Sequence, residues 1–567
     1  MNFTSSFRCI SSRQNCIIIA GMRKILREDL LWSAVLMASL FLLSFKFLTL
    51  WFILDDSANI YASLQDPLKL IFDRDTYLFF NKMFYTPLLP ISFKPDFLLF
   101  GFRPFAYHMH NLFAAFLTGL MGYKIYRLYL PRFESWAGTF LFMLSFPIVN
   151  DIGWLSMRHY LWGSFFALAS FYLFKRSEAE SSISVLSWLF YLISLLSKES
   201  FAPLPAIVFL LAKGNLREKA VKSIPFFLAL GCYLVLRHYI IGGLGGYPGG
   251  LPDPHPASLI KNYVSQLSMV SRAVWGLPLY VSAPVLILVF LSDKRVAAVC
   301  IGLLALTTAP FMFLKVSGVL DDYSTFYFPS KYILPLYIFS GATASALAYA
   351  PRKHLKFLSA ALLCLLFVLQ LVHAGASHGF IKHSAESYRE LASGGLDRNI
   401  QGKDLLIVSQ DAIFYNFLYA TYTDSKKPSE TNLGTVITID NPDLCGLLGG
   451  RLNGKHDSIY RNEKWSDQDG EIISTPLRID NTVPKPAVSM DMKGQFLSFS
   501  VTDSKNGSFY AALKSAFSPR NIAIQSMLLP KHVPMKLGLA RGRDMLYLFY
   551  CDGGRCSEPI VISPGGG

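Results

Sequence analysis

LWSAVLMASLFLLSFKFLTLWFIL, residues 31–54, runs directly into Asp55 and Asp56. The apolar stretch is long enough to cross a bilayer, whose hydrocarbon core takes about 20 helical residues. Two carboxylates at its exit are not needed to hold a helix in lipid. They mark a membrane–water boundary, where the plain reading is a solvated interfacial cap. The sharper reading is a site at which a lipid-borne and a water-soluble partner meet. Lys46, inside the stretch, has an aliphatic stem long enough to snorkel outward.

The rest of the chain favours the sharper reading. Of 567 residues, 52% are apolar and 16% charged, which excludes a disordered chain and an ordinary soluble enzyme. Residues 31–374 form a train of apolar segments, and 375–567 have soluble composition. The expected fold is a polytopic α-helical membrane protein of about eleven transmembrane helices with a C-terminal α/β plus antiparallel-β soluble domain. The expected divisions are an N-terminal cytoplasmic segment, 1–30, a transmembrane domain, 31–374, and an extracytoplasmic domain, 375–567. The expected spans are 31–54, 108–126, 135–150, 160–174, 183–197, 200–213, 222–241, 277–292, 296–314, 332–350 and 356–374. Lys198 and Glu199 divide what would otherwise read as one long span over 183–213. No internal repeat period is visible.

The first 30 residues are basic, and CIIIAG at 16–21 is too short for a signal-peptide core. Met22 is a second candidate start, since MRKILRED reads as a cytoplasmic lead-in. With the N-terminus inside, the short basic loops YKIYRLYLPR, FKRSE, KGNLREKAVK, SDKR and PRKHLK all fall inside, as the positive-inside rule requires. The net charge of +15 is then a topology signal and an attraction to anionic headgroups, with no nucleic-acid motif behind it. Localisation in the inner (plasma) membrane follows, multi-pass, with the C-terminal domain outside. Cys551 and Cys556 bracket CDGGRC, whose outside position permits a disulfide. Cys232, Cys300 and Cys364 lie in spans as packing residues, and no Cys/His set has metal-ligand spacing.

Charged residues in or beside spans are costly and mark function by default. Asp55, Asp56, Arg103, His108, Asp151, Arg158, Lys198, Glu199 and Lys331 all fall near the outer ends of spans. They come from distant segments yet share one membrane depth. A carrier concentrates its polar groups near the midplane instead. Each residue also has a structural reading: His108 and His110 face different sides of a helix, Arg158 has a possible partner in Asp151, and Lys198-Glu199 suits a turn.

Five pieces together resemble the GT-C class of polyprenyl-phosphate-sugar-dependent glycosyltransferases, closest to the bacterial relatives of the TPR-containing transmembrane O-mannosyltransferases. They are DDSANIY at 55–61, the run from YTPLLPISF to HNLFAAFLTGL at 85–120 with His108 and Asn111, NDIGWLSMRHYLWG at 150–163 with Trp154, Ser156 and Arg158, LLSKESFAPLPAIVFLL at 195–211, and FPSKYILPLYIF at 328–339 with Lys331 and Tyr332. The likeness covers about the first 375 residues. Thr86, Met157 and Lys331 depart from the usual Arg, Gly and Arg, and the TPR repeats are absent.

The resemblance implies transfer of a sugar from a polyprenyl-phosphate donor to an extracytoplasmic hydroxyl, on a protein or an envelope glycan or lipid, with inversion. Asp55 or Asp56 would be the general base. Arg158, Lys198, Lys331 and Arg103 would neutralise the leaving phosphate, and His108, Asn111, Glu199 and Tyr332 would hold substrate. No cofactor is required, and a divalent metal at Asp55/Asp56 is the variant reading. The aromatic loop 57–107 is expected to carry short amphipathic surface helices, and the Gly/Pro run 242–256 is a lid candidate. In the C-terminal domain, 395–440 reads as an α/β start and 486–562 as antiparallel strands, serving acceptor recognition or simple packing. A transporter or flippase of lipid-linked saccharides is the alternative function.

Overall fold

The computed structural model describes residues 28–81, 84–180, 184–242, 256–275, 283–309, 332–400, 405–408, 415–417, 419–421, 436–439, 458–461, 464–466, 478–480, 482–493, 496–501, 508–518, 521–529, 535–539, 544–552 and 555–563. Its helices are α1 (28–44), α2 Asp56–Ser63, α3 Pro67–Phe72, α4 Arg74–Phe80, α5 Leu88–Phe100, α6 Pro104–Tyr126, α7 Arg132–Met143, α8 Phe146–Gly153, α9 Arg158–Ala179, α10 Val185–Ser197, α11 Leu204–Leu211, α12 Leu216–Ile241, α13 Pro256–Trp275, α14 Ala283–Ser292, α15 Lys294–Thr308, α16 Ile333–Tyr349 and α17 Lys353–Ile400.

Each expected span overlaps helix, but the expectation of eleven crossings is not supported. Among the described residues two helices are long and apolar enough to cross a membrane, Leu216–Ile241 and the Lys353–Val372 part of α17. Local chemistry breaks the other apolar runs. The 31–54 stretch stays helical only to residue 44; 45–49 form turns and 50–53 are irregular. The 135–150 run divides at Ser145, where Pro147 opens a new helix in α8. The 183–213 run divides at Lys198, whose extended backbone ends α10. Polar side chains such as His108, His110 and Asn111 dilute the apolar character of α6.

The 57–107 stretch folds into short helices, as expected. Asp66 caps α3 by accepting from Leu68 N–H with Pro67 at the first position, and Asp73 caps α4 by accepting from Thr76 N–H. These helices leave Leu68, Phe72, Leu98, Leu99 and Phe100 exposed. In the bundle, α9 and the Glu199–Phe201 turn approach so closely that a Cβ on Gly163 would lie 2.2 Å from the Phe201 ring. Only glycine permits that approach, and it brings Lys198 beside α9.

At its other end the bundle is tied by charge. Arg132 pairs with Glu28 and Asp29, and Asp29 also accepts from Tyr123 Oη at 2.7 Å. Glu178 takes Lys175 and, at 2.9 Å, Lys222.

The boundary expected at 375 falls inside α17, which runs on to Ile400. The His378 ring stands edge-on to Phe47 at 5.1 Å, and Tyr388 and Leu391 share a core with Phe52 and Leu155. The sheet domain follows, with strands β1 Leu405–Val408, β2 Val436–Ile439, β3 Ser458–Arg461, β4 Lys464–Ser466, β5 Arg478–Ile479, β6 Val488–Lys493, β7 Phe496–Val501, β8 Ser508–Ser518, β9 Asn521–Leu529, β10 Met535–Gly538, β11 Asp544–Asp552, β12 Arg555–Cys556 and β13 Ile560–Ile562. The expected α/β start and antiparallel end fuse into one sheet, ordered β4-β3-β1-β2-β9-β8-β11-β12-β5. Strands β3, β1, β2 and β9 are mutually parallel, while β9, β8 and β11 are antiparallel. A separate antiparallel sheet holds β10, β7 and β6. Cys551 and Cys556 form a disulfide across the β11–β12 pair.

The sheet domain sits on the aspartate end of the bundle. Leu405, Ile407, Tyr415 and Tyr419 join Ile60, Leu89, Phe93 and Tyr107 in one core. Phe417 packs on Tyr61, Phe79 and Phe80 of α2 and α4.

Candidate active site

The site begins at Leu54, whose φ of 45° is left-handed. That conformation costs an ordinary side chain ~1–2 kcal/mol and is kept only where its surroundings enforce it. Here it turns the irregular 50–53 run into α2. Asp56 closes the turn: its Oδ2 accepts the Ile53 N–H at 2.9 Å. Its Oδ1 accepts both the backbone N–H of Ser156, at 2.7 Å, and the Ser156 hydroxyl, at 2.6 Å. Asp56 is buried, both oxygens are engaged, and it joins the turn to the 3-10 segment Leu155–Met157 that leads into α9.

Asp55 faces elsewhere. Its Oδ1 accepts the indole N–H of Trp154 at 3.0 Å. It lines a cavity of about 70 Å³ with Asn59, Tyr77, Asn81, Thr86 and Pro90. That is room for a hydroxyl and a water, among side chains that donate and accept hydrogen bonds. The Asn59 amide braces the pair from behind, donating to Asp55 O and to Ser156 Oγ, each at 2.9 Å.

Burial lifts both carboxyls above the ordinary aspartate range. For Asp55 the Trp154 hydrogen bond and the charge of Lys198 pull back against burial. For Asp56 the neighbouring Asp55 charge adds to burial. Adjacent carboxylates in one site titrate as a pair. The three donors hold Asp56 in the turn, which leaves Asp55 as the carboxyl that faces the cavity.

Lys198 stands at the end of α10. Its Nζ lies 3.9 Å from the centre of the Phe84 ring, 5.6 Å from that of Tyr160 and 3.7 Å from Glu199 Oε1. Glu199 Oε2 lies 3.3 Å from an Arg237 terminal nitrogen, which donates to Tyr233 Oη at 2.9 Å. Burial lowers the Lys198 ammonium, helped by the Arg237 charge and opposed by Glu199. Burial would raise the Glu199 carboxyl, but Lys198 and Arg237 override it and hold it at about 2. The group is a cation–carboxylate–cation chain whose near end acts electrostatically on Asp55.

Arg158 has a different setting. It is fully buried, and Nε donates to Asn111 Oδ1 at 2.7 Å. Its terminal nitrogens donate to Asp96 Oδ2 at 2.6 Å, Ser92 O at 3.0 Å and Tyr107 O at 3.1 Å. The guanidinium lies 4.4 Å from the Phe93 ring centre. Asp96, not Asp151, is its partner. Asp96 also accepts from His110 Nδ1 at 2.9 Å, and His110 Nε2 accepts the Trp162 indole N–H at 3.1 Å. Asn111 donates to Asp151 O at 2.9 Å, while the His108 ring nitrogens face Ile152 O at 3.1 Å and Leu50 O at 3.3 Å. Arg158, His108 and Asn111 thus form the scaffold under the aspartates rather than a surface open to ligand.

Arg103 is exposed at the start of α6, apart from this constellation. Tyr332 is buried at the start of α16, a helix tied to α6 through Tyr337 Oη on Gly122 O, about 20 Å of helix rise from His108. Lys331, Cys445 and residues 243–255 of the lid candidate lie outside the described residues.

Sequence reasoning passed over Asn59, Asp96 and Arg237 as site residues and weighed His110 only beside His108 on the helix. The signal for one of them was present: Arg237 is a charge within an apolar run, the same rule that singled out Lys198. A further buried atom, His159 Nε2, has no hydrogen-bond partner, while Nδ1 faces Ser156 O at 2.6 Å. A carbonyl only accepts, so the proton is on Nδ1 and Nε2 presents a lone pair.

The aspartate pair suits a divalent ion poorly. Three donors already take both oxygens of Asp56, two on Oδ1 and one on Oδ2, and the indole takes Oδ1 of Asp55. No protein-family model matches the chain, and no curated protein matches it.

Proposed function

We propose that this chain is a membrane glycosyltransferase of GT-C type. It moves a sugar from a polyprenyl-phosphate donor to an extracytoplasmic hydroxyl on a protein, glycan or lipid, with inversion, and needs no metal. The observation that carries the reading is Asp55: a carboxyl with a raised proton affinity, fixed by an indole N–H, facing a small polar cavity. An unactivated hydroxyl is a weak nucleophile, and a base whose pKa has been brought toward neutrality suits its activation.

In this reading Asp55 takes the acceptor proton as the hydroxyl attacks the anomeric carbon, and the bond to the lipid phosphate breaks on the opposite face. Lys198, backed by Glu199 and Arg237, supplies positive charge toward the phosphate as it leaves. Asp56, Asn59 and Trp154 position the base. Arg158 is a structural ion-pair partner of Asp96. The helical domain would sit in the plasma membrane, with α2–α5 at its outer surface and the sheet domain outside, over the acceptor cavity. The two long apolar helices, the exposed apolar residues of α3 and α5, and the basic loops at the other end support that placement.

The test is sugar transfer by purified full-length protein in detergent, from a polyprenyl-phosphate sugar to a hydroxyl acceptor. A transporter produces no transfer where no compartments exist. Asp55→Asn should abolish turnover while leaving the protein folded. Wild-type transfer by that variant would remove Asp55 as the base.

A further inference from the structure

A second groove opens on the other side of the turn that leads to Asp55. It has a volume of about 510 Å³ and lies between residues 45–51 and the extension of α17. No residue lines both this groove and the Asp55 cavity. Its charged lining is Lys46, Lys382, Arg389 and Glu386, with His378 beside them. Lys382 and Glu386 are 3.7 Å apart and both exposed, a pairing that neutralises little. Lys46 and Arg389 are exposed as well, so the face is positive.

Two lining residues also carry buried nitrogens without a hydrogen-bond partner, Trp51 Nε1 and His378 Nδ1. The indole can only donate, and a neutral imidazole can. Such groups call for an acceptor, since a buried donor left unmet is costly. Phe45 brings exposed apolar surface to the groove itself, Leu42 is exposed three residues before it, and the apolar span Lys353–Val372 ends about two turns before His378 on the same helix.

We propose that this groove binds the phosphate headgroup of an anionic lipid. Lys46, Lys382 and Arg389 take the phosphate oxygens, Trp51 and His378 supply neutral donors, and the acyl chains lie along Leu42, Phe45 and Val372. Continuity of the basic groove with that apolar surface is what favours a lipid over free phosphate. The inference is independent of the glycosyltransferase reading, because the groove is separate from the Asp55 cavity and its test needs no turnover.

The test is native mass spectrometry of the full chain in non-ionic detergent, with dihexanoyl phosphatidate, dihexanoyl phosphatidylcholine and inorganic phosphate as probes. Phosphatidate should bind in preference to the other two. The double variant Lys382→Gln/Arg389→Gln, and separately Lys46→Gln, should weaken it about tenfold or more, the scale of losing charge-assisted hydrogen bonds. All three side chains are exposed, so these variants should fold. Lys294→Gln, an exposed cation on α15, should leave binding unchanged. Equal binding of inorganic phosphate or of phosphatidylcholine, or equal weakening by Lys294→Gln, would overturn the proposal. So would unchanged binding in the groove variants.

Discussion

Replacing Arg158 should unfold the scaffold before it affects chemistry. The side chain is 0% exposed and makes four hydrogen bonds, one of them to the buried Asp96 carboxylate. Arg158→Ala leaves that carboxylate without its cation in a site closed to solvent. Breaking a buried pair in this way typically costs ~3–5 kcal/mol, mostly the penalty of the stranded charge. His110 still donates to Asp96 in that variant, so the lower end of the range is expected. Removing both charges with Arg158→Met/Asp96→Leu should recover much of the loss, because an apolar pair carries no desolvation penalty. The assay is unfolding of purified protein in detergent for wild type, the two single variants and the double, read as a cycle. A coupling near zero, with Arg158→Ala as stable as wild type yet inactive in transfer, would refute the reasoning. Arg158 would then be a ligand for the donor phosphate, as the resemblance implies.

Three further outcomes are expected. A base must be ionised, and burial raises the Asp55 pKa, so transfer should fall with decreasing pH along a limb above the ~4 of a free aspartate; Trp154→Phe and Lys198→Met each remove a group that lowers that pKa, so each should move the limb to higher pH, and a limb that stays in place would detach Asp55 from the rate. Glu199 is held down to about 2 from an ordinary 4.5, so its stabilising effect is complete above 4.5 and is lost as pH falls toward 2; Glu199→Gln should lower stability at neutral pH and flatten that acid dependence in unfolding experiments. Cys551 and Cys556 should resist maleimide in intact cells until a membrane-impermeant reductant is added; labelling without reduction would place the sheet domain in a reducing compartment.

The residues that meet at the site were legible in the sequence, but their division of labour was not. Asp55, Asp56, Trp154, Ser156, Lys198 and Glu199 all lie in segments singled out by charge at the ends of apolar runs. Spacing along the chain says that a cation shares a depth with a carboxylate. It does not say which of its donors are already committed. Arg158 and Lys198 look alike as lone cations beside spans, and only the fold shows that Asp96 and two backbone carbonyls engage the first, while the second faces two aromatic rings and one carboxylate. The aspartates divide in the same way. The adjacent pair reads as one motif, yet a left-handed Leu54 sends the two side chains in different directions, one into the backbone turn and one into the cavity.

The length of the apolar runs misled for a related reason. An apolar stretch reports that its side chains avoid water and carries no mark of where the backbone leaves the helix. Residues 45–54 are as apolar as 31–44, but backbone groups there are met by protein: Leu50 N–H by Phe47 O, Ile53 N–H by Asp56. Irregular backbone shut away from water is tolerated only where such partners exist. Asp56 therefore does two jobs with one constraint. It lets the first apolar run unwind before its end, and the unwound segment is what carries Asp55 to its cavity and opens the groove lined by Lys46, Leu50 and Trp51 on its other side. A change that restored helix through 45–54 would remove both sites together, which makes the turn, more than any single cation, the feature on which this end of the molecule depends.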